Sequence, residues 1–98
     1  MVYDHGMRVS GPLFAAFLLS REDADRASAR LGLTVPKALG KAVIRNRIKR
    51  RFREVFRLHC FEFSPQWDIV INPRRASLLA PFPELERAMG KVIEKCAR

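Results

Sequence analysis

Hydrophobic positions along the chain follow two different periods. Residues 13–20 alternate Phe14, Ala16 and Leu18 with Ala15, Phe17 and Leu19, so both sets are apolar. That is the pattern of a strand covered on both faces. Residues 30–35 alternate cleanly, with Leu31, Leu33 and Val35 on one side and Arg30, Gly32 and Thr34 on the other. This predicts a half-buried strand, which Pro36 and Gly40 then end. Residues 67–72 repeat the alternation, Trp67, Ile69 and Ile71 against Asp68, Val70 and Asn72, and Asn72-Pro73 closes the strand.

The period changes in residues 41–60. On a helical wheel Ile44, Ile48, Phe52, Val55 and His59 make one stripe. Asn46, Lys49, Arg50, Arg53 and Arg57 make the opposite one, spaced by three and four. A second helix is predicted from about Pro83, a favoured first-turn residue, with Phe82, Leu85, Met89, Val92, Ile93 and Cys96 as its buried stripe. Glu84 and Glu86 suit its positive end; Lys91, Lys95 and Arg98 suit its negative end. Residues 22–29 are polar and Ala-rich, a connecting loop or a short helical turn. Residues 1–12 show no clear period. Val2-Tyr3-Asp4-His5-Gly6 reads as the last turn of a helix stopped by Gly6, so the first helix looks truncated at its start. The order strand, strand, helix, strand, helix predicts an α/β (α+β) two-layer sandwich. Its mixed sheet has three to four strands and carries the helices on one face.

Length and composition narrow the choice. Ninety-eight residues make a single domain, and 48% hydrophobic residues are too many for a disordered tail. The longest apolar run, 13–19, is far too short to span a membrane. Arg8 before that run suggests a signal peptide only weakly, because no small-residue cleavage site follows. Cys60 and Cys96 lack metal-type spacing and read as reduced cytosolic core residues.

Charge changes the picture most. The net charge is +9, and its distribution is uneven. Between residues 37 and 57 lie Lys37, Lys41, Arg45, Arg47, Lys49, Arg50, Arg51, Arg53 and Arg57, opposed by Glu54 alone. That fifth of the chain holds +8 of the +9. Concentrated charge of one sign is the footprint of a polyanion binder. A solvated helix face is the plain alternative. Against it, Lys49 with Arg53 and Arg53 with Arg57 repel at i,i+4, at roughly 0.2–0.5 kcal/mol a pair, with little acidic relief. A rigid row of cations suits a curved row of RNA phosphates, and each Arg fork grips two phosphate oxygens. Asn46 within that row suggests a hydrogen bond to a 2′-hydroxyl, a base edge or a neighbouring backbone.

Catalytic constellations are lacking. His59 and Cys60 are adjacent, and neighbours on a helix point in different directions, so a packed histidine and a buried thiol are expected. Asp68 and Glu84 share no motif, and no Gly-rich phosphate loop or His/Cys cluster occurs.

The stretch Lys41-Ala42-Val43-Ile44-Arg45-Asn46-Arg47-Ile48-Lys49-Arg50-Arg51-Phe52-Arg53-Glu54 resembles the signature helix of the protein subunit of bacterial ribonuclease P. Leu31-Gly32-Leu33-Thr34-Val35 is similar to the family's preceding strand. Asp68-Ile69-Val70-Ile71 and Arg74-Arg75-Ala76-Ser77 are similar to its following strand and loop. The resemblance covers almost the whole chain. It implies a left-handed strand-helix-strand crossover, against the usual rule. It implies a subunit that joins a catalytic RNA and helps remove the 5′ leader of precursor tRNA. Magnesium is then held mainly by the RNA and not by the protein alone. Arg45, Asn46, Arg47, Lys49, Arg50 and Arg53 would face the catalytic RNA, with Lys37, Lys41, Arg57 and Arg74 extending the RNA-binding set. Tyr3, Phe14 and Phe17 match aromatic positions of a cleft for the single-stranded leader. One of Phe14 and Phe17, on alternating faces, must instead be core.

The expected protein is cytoplasmic, has no membrane partner and is monomeric alone. Its partners are the catalytic RNA and precursor tRNA. Two features depart from the family: the short start before Val2-Tyr3, and Lys37-Ala38 where two lysines are usual. A structural RNA-binding protein of the ribosome, without a processing role, is the alternative.

Overall fold

The computed structural model describes residues 6–20 and 29–96. Six principal elements follow in order: β1 (Gly6–Ser10), β2 (Phe14–Ser20), β3 (Arg30–Leu33), α1 (Ala42–His59), β4 (Trp67–Pro73) and α2 (Phe82–Cys96). One sheet takes the strands in the order β1-β2-β4-β3. The β1/β2 and β2/β4 pairs are antiparallel, and β3 runs parallel to β4, so α1 is the crossover between parallel neighbours. This is the mixed α+β sheet-and-helix architecture the patterning predicts, with four strands.

The fourth strand falls where the sequence shows no clear period. Gly6, read from sequence as a helix stop, opens β1, which pairs with β2 from Gly6↔Leu19 to Ser10↔Ala15. β1 is an edge strand, and most of its residues are exposed. It therefore needs little apolar alternation, and its pairing with β2 decides its structure. Residues 2–5, read as a helix end, lie outside the described residues.

The sheet has two unlike faces. Phe14, Ala16, Leu18, Ile69 and Ile71 point to the helices and are buried. Ile48, Phe52 and Val55 of α1 and Leu85, Met89, Val92 and Cys96 of α2 complete one core. Each such large side chain contributes about 1.5–3 kcal/mol by leaving water. Phe14 meets Phe52 edge-on, ring centroids 5.4 Å apart. On the other face, Arg8, Phe17, Val70 and Gly32 stand in register across all four strands.

The entry to α1 is built by Gly40. Its φ of 139° lies where side chains are disfavoured, and a Cβ there would meet Ile44 Cβ at 3.1 Å. Lys41, next in line, caps α1 without a side-chain hydrogen bond, and no acid occupies the first turn.

Candidate nucleic-acid interface

The core stripe of α1 turns its opposite side outward. Asn46, Arg47, Arg50, Arg53 and Arg57 are exposed, while Arg45 and Lys49 are half-buried at the margins. Lys37, in a short 3-10 turn, and Lys41, at the helix start, are also exposed and continue the basic run toward the amino end of α1. The uncapped N–H groups of the first turn add positive potential there. Along the middle of the helix Asn46, Arg50, Arg53, Glu54 and Arg57 line a shallow depression of about 310 Å³.

The cations are not equivalent. Arg57 donates from Nε to Glu54 Oε1 at 3.1 Å and from Nη2 to Oε2 at 2.7 Å. Those bonds hold the Glu54 carboxyl below the usual carboxylate range, and Glu54 in turn raises Arg57. Arg45 donates to the Gly40 carbonyl at 3.3 Å, which holds it along the helix start. Arg51 points away from this face, donating to the Ala80 carbonyl, and its Nε is buried without a partner among the described residues. Among the described residues Arg47, Lys49, Arg50 and Arg53 make no ion pair or hydrogen bond through their side chains, so their charge is uncommitted.

Other site residues fall elsewhere. Arg74 lies outside the helix group. It donates to the Gly11 carbonyl at 2.9 Å and Ser10 Oγ at 3.2 Å, bracing the β1–β2 connection. Phe14 is a correction: at 3% exposure against Phe52 its ring offers no face to a ligand. Phe17 is the partner that points outward, 38% exposed on the open sheet face. Tyr3 lies outside the described residues.

Residues missed from sequence also join the picture. The Arg8 guanidinium sits 5.5 Å from the Phe17 ring centre, a cation beside an open aromatic. Recognising β1 as a strand opposite β2 would have found it. Arg75 donates to the Ala38 carbonyl at 3.1 Å and ties the loop after β4 to the turn before α1.

His59 and Cys60, expected as a packed histidine and a buried thiol, are only half-buried, and two carboxylates engage the histidine. Its Nδ1 is 2.6 Å from Glu62 Oε2 and its Nε2 is 3.0 Å from Glu86 Oε2. Hydrogen bonding to Glu86 first, then Glu62, raises its pKa. Cys60 and Cys96 are free thiols, and burial pushes Cys96 up to about 12, which leaves it inert as a nucleophile. Among the described residues no group of three or more His, Cys, Asp or Glu side chains is placed to hold a metal ion. No described helix is long and apolar enough to cross a membrane.

A bare cationic helix packed on one face of a mixed sheet, with an aromatic and an arginine on the far face, makes an α+β sandwich whose surface suits a polyanion. The chain belongs to the bacterial ribonuclease P protein family: the family described as Ribonuclease P matches residues 1–97. It is 40% identical over 73 residues to the ribonuclease P protein component of Carboxydothermus hydrogenoformans, covering 74% of this chain and 62% of that one. It is 38% identical over 96 residues to the same component of Brucella melitensis biotype 1, covering 91% and 68%. The chain thus spans about two thirds of these relatives' length. The RNase P protein of Staphylococcus aureus superimposes with a TM-score of 0.76 at 29% identity, over 96% of this chain and 84% of that one. The Thermotoga maritima RNase P protein, at 23% identity, shares the fold with a TM-score of 0.80, over 99% and 89%.

Proposed function

We propose that this chain is the protein component of a ribonuclease P ribonucleoprotein, working in the cytoplasm and monomeric until it meets RNA. Its α1 face binds the catalytic RNA, and its open sheet face binds the 5′ leader of precursor tRNA. The observation that carries this is the α1 surface, where uncommitted arginines and a lysine stand in one row with Glu54 as the single acid. Family membership supports the assignment of that row to ribonuclease P RNA. The leader assignment rests on Phe17 and Arg8, since single-stranded bases stack on rings beside cations.

The protein's part is binding and alignment. The phosphodiester chemistry belongs to the RNA, together with the magnesium ions it holds. No feature of the described residues favours a structural ribosomal role over this one.

Reconstitution tests it. Combined with ribonuclease P RNA, the chain should restore cleavage of precursor tRNA at magnesium concentrations where the RNA alone is slow. The chain without RNA should cleave nothing at any magnesium concentration. No gain over RNA alone, or cleavage by RNA-free protein, would overturn the reading.

A further inference from the structure

Arg53 and Arg57 stand on a ridge with a depression on either side. One is the polar depression around Asn46. The other, of about 400 Å³, lies between α1 and β3 and is lined by Leu31, Leu33, Lys49, Arg53, Phe56 and Arg57. Its chemistry is divided. Leu31, Leu33 and Phe56 are half-buried apolar side chains that rest against the core. Lys49, Arg53 and Arg57 supply cations around them. Phe56 leans on Phe63, ring centroids 5.3 Å apart and tilted by 36°, which fixes its ring in place. β3 is an edge strand, paired only with β4 among the described residues. Main-chain donors and acceptors therefore border the groove on its sheet side.

A purely electrostatic RNA surface has no use for an apolar floor beside its exposed arginines. A phosphate backbone following the ridge would carry its bases to one side or the other. A base turned toward β3 would leave water for two leucines and a ring while its phosphates stay on the cations. We propose that this groove is a nucleotide pocket: it takes one unstacked base of the RNA partner against Leu31, Leu33 and Phe56, with the flanking phosphates on Lys49 and Arg53. The pocket deepens the reading that α1 faces RNA and rests on it. It adds to the phosphate row an apolar seat that senses a base turned out of its stack. Arg57, held by Glu54, forms the wall at the far end and contributes less charge.

Two measurements test it. In the first, the isotopically labelled chain is titrated with adenosine 5′-monophosphate and, separately, with inorganic phosphate. The nucleotide should shift the methyl resonances of Leu31 and Leu33 and the ring resonances of Phe56, while phosphate should move only signals of Lys49 and Arg53. Leucine and ring signals that stay still, or that move alike with both probes, would overturn the pocket. The second uses Phe56→Leu, which keeps an apolar side chain but removes the aromatic face. After thermal melting shows it folded, its affinity for ribonuclease P RNA should fall about five- to tenfold, at the lower end of a lost base–aromatic stack. Its log-log salt slope should not change, because every phosphate keeps its cation. If Phe56→Leu binds as the parent does while Arg53→Glu binds weakly, the pocket fails and the RNA-facing helix stands. If Arg53→Glu also binds normally, the underlying reading fails with it.

Discussion

α1 and α2 contribute to one core and differ almost wholly on their outer sides. Inside, Ile48, Phe52 and Val55 of α1 meet the same sheet as Leu85, Met89, Val92 and Cys96 of α2, all with 1% exposure or less. Outside, α2 carries three acidic and three basic residues, with Glu84 in its first turn and Lys95 in its last. That arrangement complements the helix dipole. α1 carries seven basic residues against Glu54, and no acid in its first turn. Helix stability alone would favour mixed charge on both. Two helices with the same packing task and opposite surface habits separate what the fold requires from what a polyanionic partner requires. The α1 surface is held at some cost to the free protein, a cost that the proposed RNA partner would relieve.

The sharpest way to break this comparison is to reverse charge on each helix in turn. Arg45→Glu, Lys49→Glu and Arg53→Glu together should weaken binding to ribonuclease P RNA by about a thousandfold, taking about 1.5 kcal/mol for each charged hydrogen bond. The log-log salt slope should flatten by roughly 0.7 to 0.9 for each phosphate that is no longer neutralised. Arg87→Glu with Lys91→Glu on α2 should change neither quantity appreciably. Equal losses from the two helices, measured by binding at several salt concentrations, would mean that total charge matters and position does not.

Core truncation should erase the contrast. Phe52→Ala and Met89→Ala remove fully buried side chains from α1 and α2 respectively. The expected losses of stability are about 3–5 and about 2–5 kcal/mol, read by denaturant unfolding. A core residue of one helix that proved nearly silent would show that the two do not share their packing task.

The open sheet face sharpens the comparison by adding a surface with a different ligand. Phe17→Ala should reduce affinity for precursor tRNA by about 1–3 kcal/mol, the range for one stacked base. Mature tRNA, which has no leader, should bind the reconstituted particle almost as before. Substitutions on α1, by contrast, should weaken assembly whichever tRNA is offered. Equal losses for precursor and mature tRNA would confine Phe17 to the fold or to the interface with the RNA subunit.

Legibility from sequence follows the range of the interactions involved. α1 announces itself because eighteen residues repeat one period and the charges sort with it. β2 and β4 do so because their alternation is long enough to read. β1 does not, since Gly-Met-Arg-Val-Ser at an edge buries little, and only β2 defines its register. The meaning of Arg8 is hidden with it, because that residue matters by standing opposite Phe17. The alternation of Phe14 and Phe17 requires opposite faces, but which face is open depends on where the helices pack. Arg74 reads in the sequence as one more free cation, and a carbonyl 63 positions away at Gly11 engages it. The groove beside β3 has no sequence signature, because its floor joins two leucines of a strand to a ring of the helix that carries its cations.

The smallest effect concerns the joint between the two helices. His59, at the end of α1, links to Glu86 of α2 and to Glu62 of the turn that follows α1. Its folded pKa is raised above the unfolded value of about 6.5. Its contribution to stability is therefore fully present below about pH 6.5 and is lost as pH rises through the raised folded value. The pair is partly exposed, His59 at 27% and Glu86 at 36%, so the contribution should be about 1 kcal/mol or less. Removing it with His59→Gln should destabilise the chain more at pH 6 than at pH 9, where the imidazole is neutral in both states. Glu86→Gln should shrink the same pH dependence, because it withdraws the larger cause of the shift. Denaturant unfolding of parent and variants at the two pH values measures this. A His59→Gln penalty of the same size at both would show that the histidine joins the helices by packing and neutral hydrogen bonds, without an ionic component.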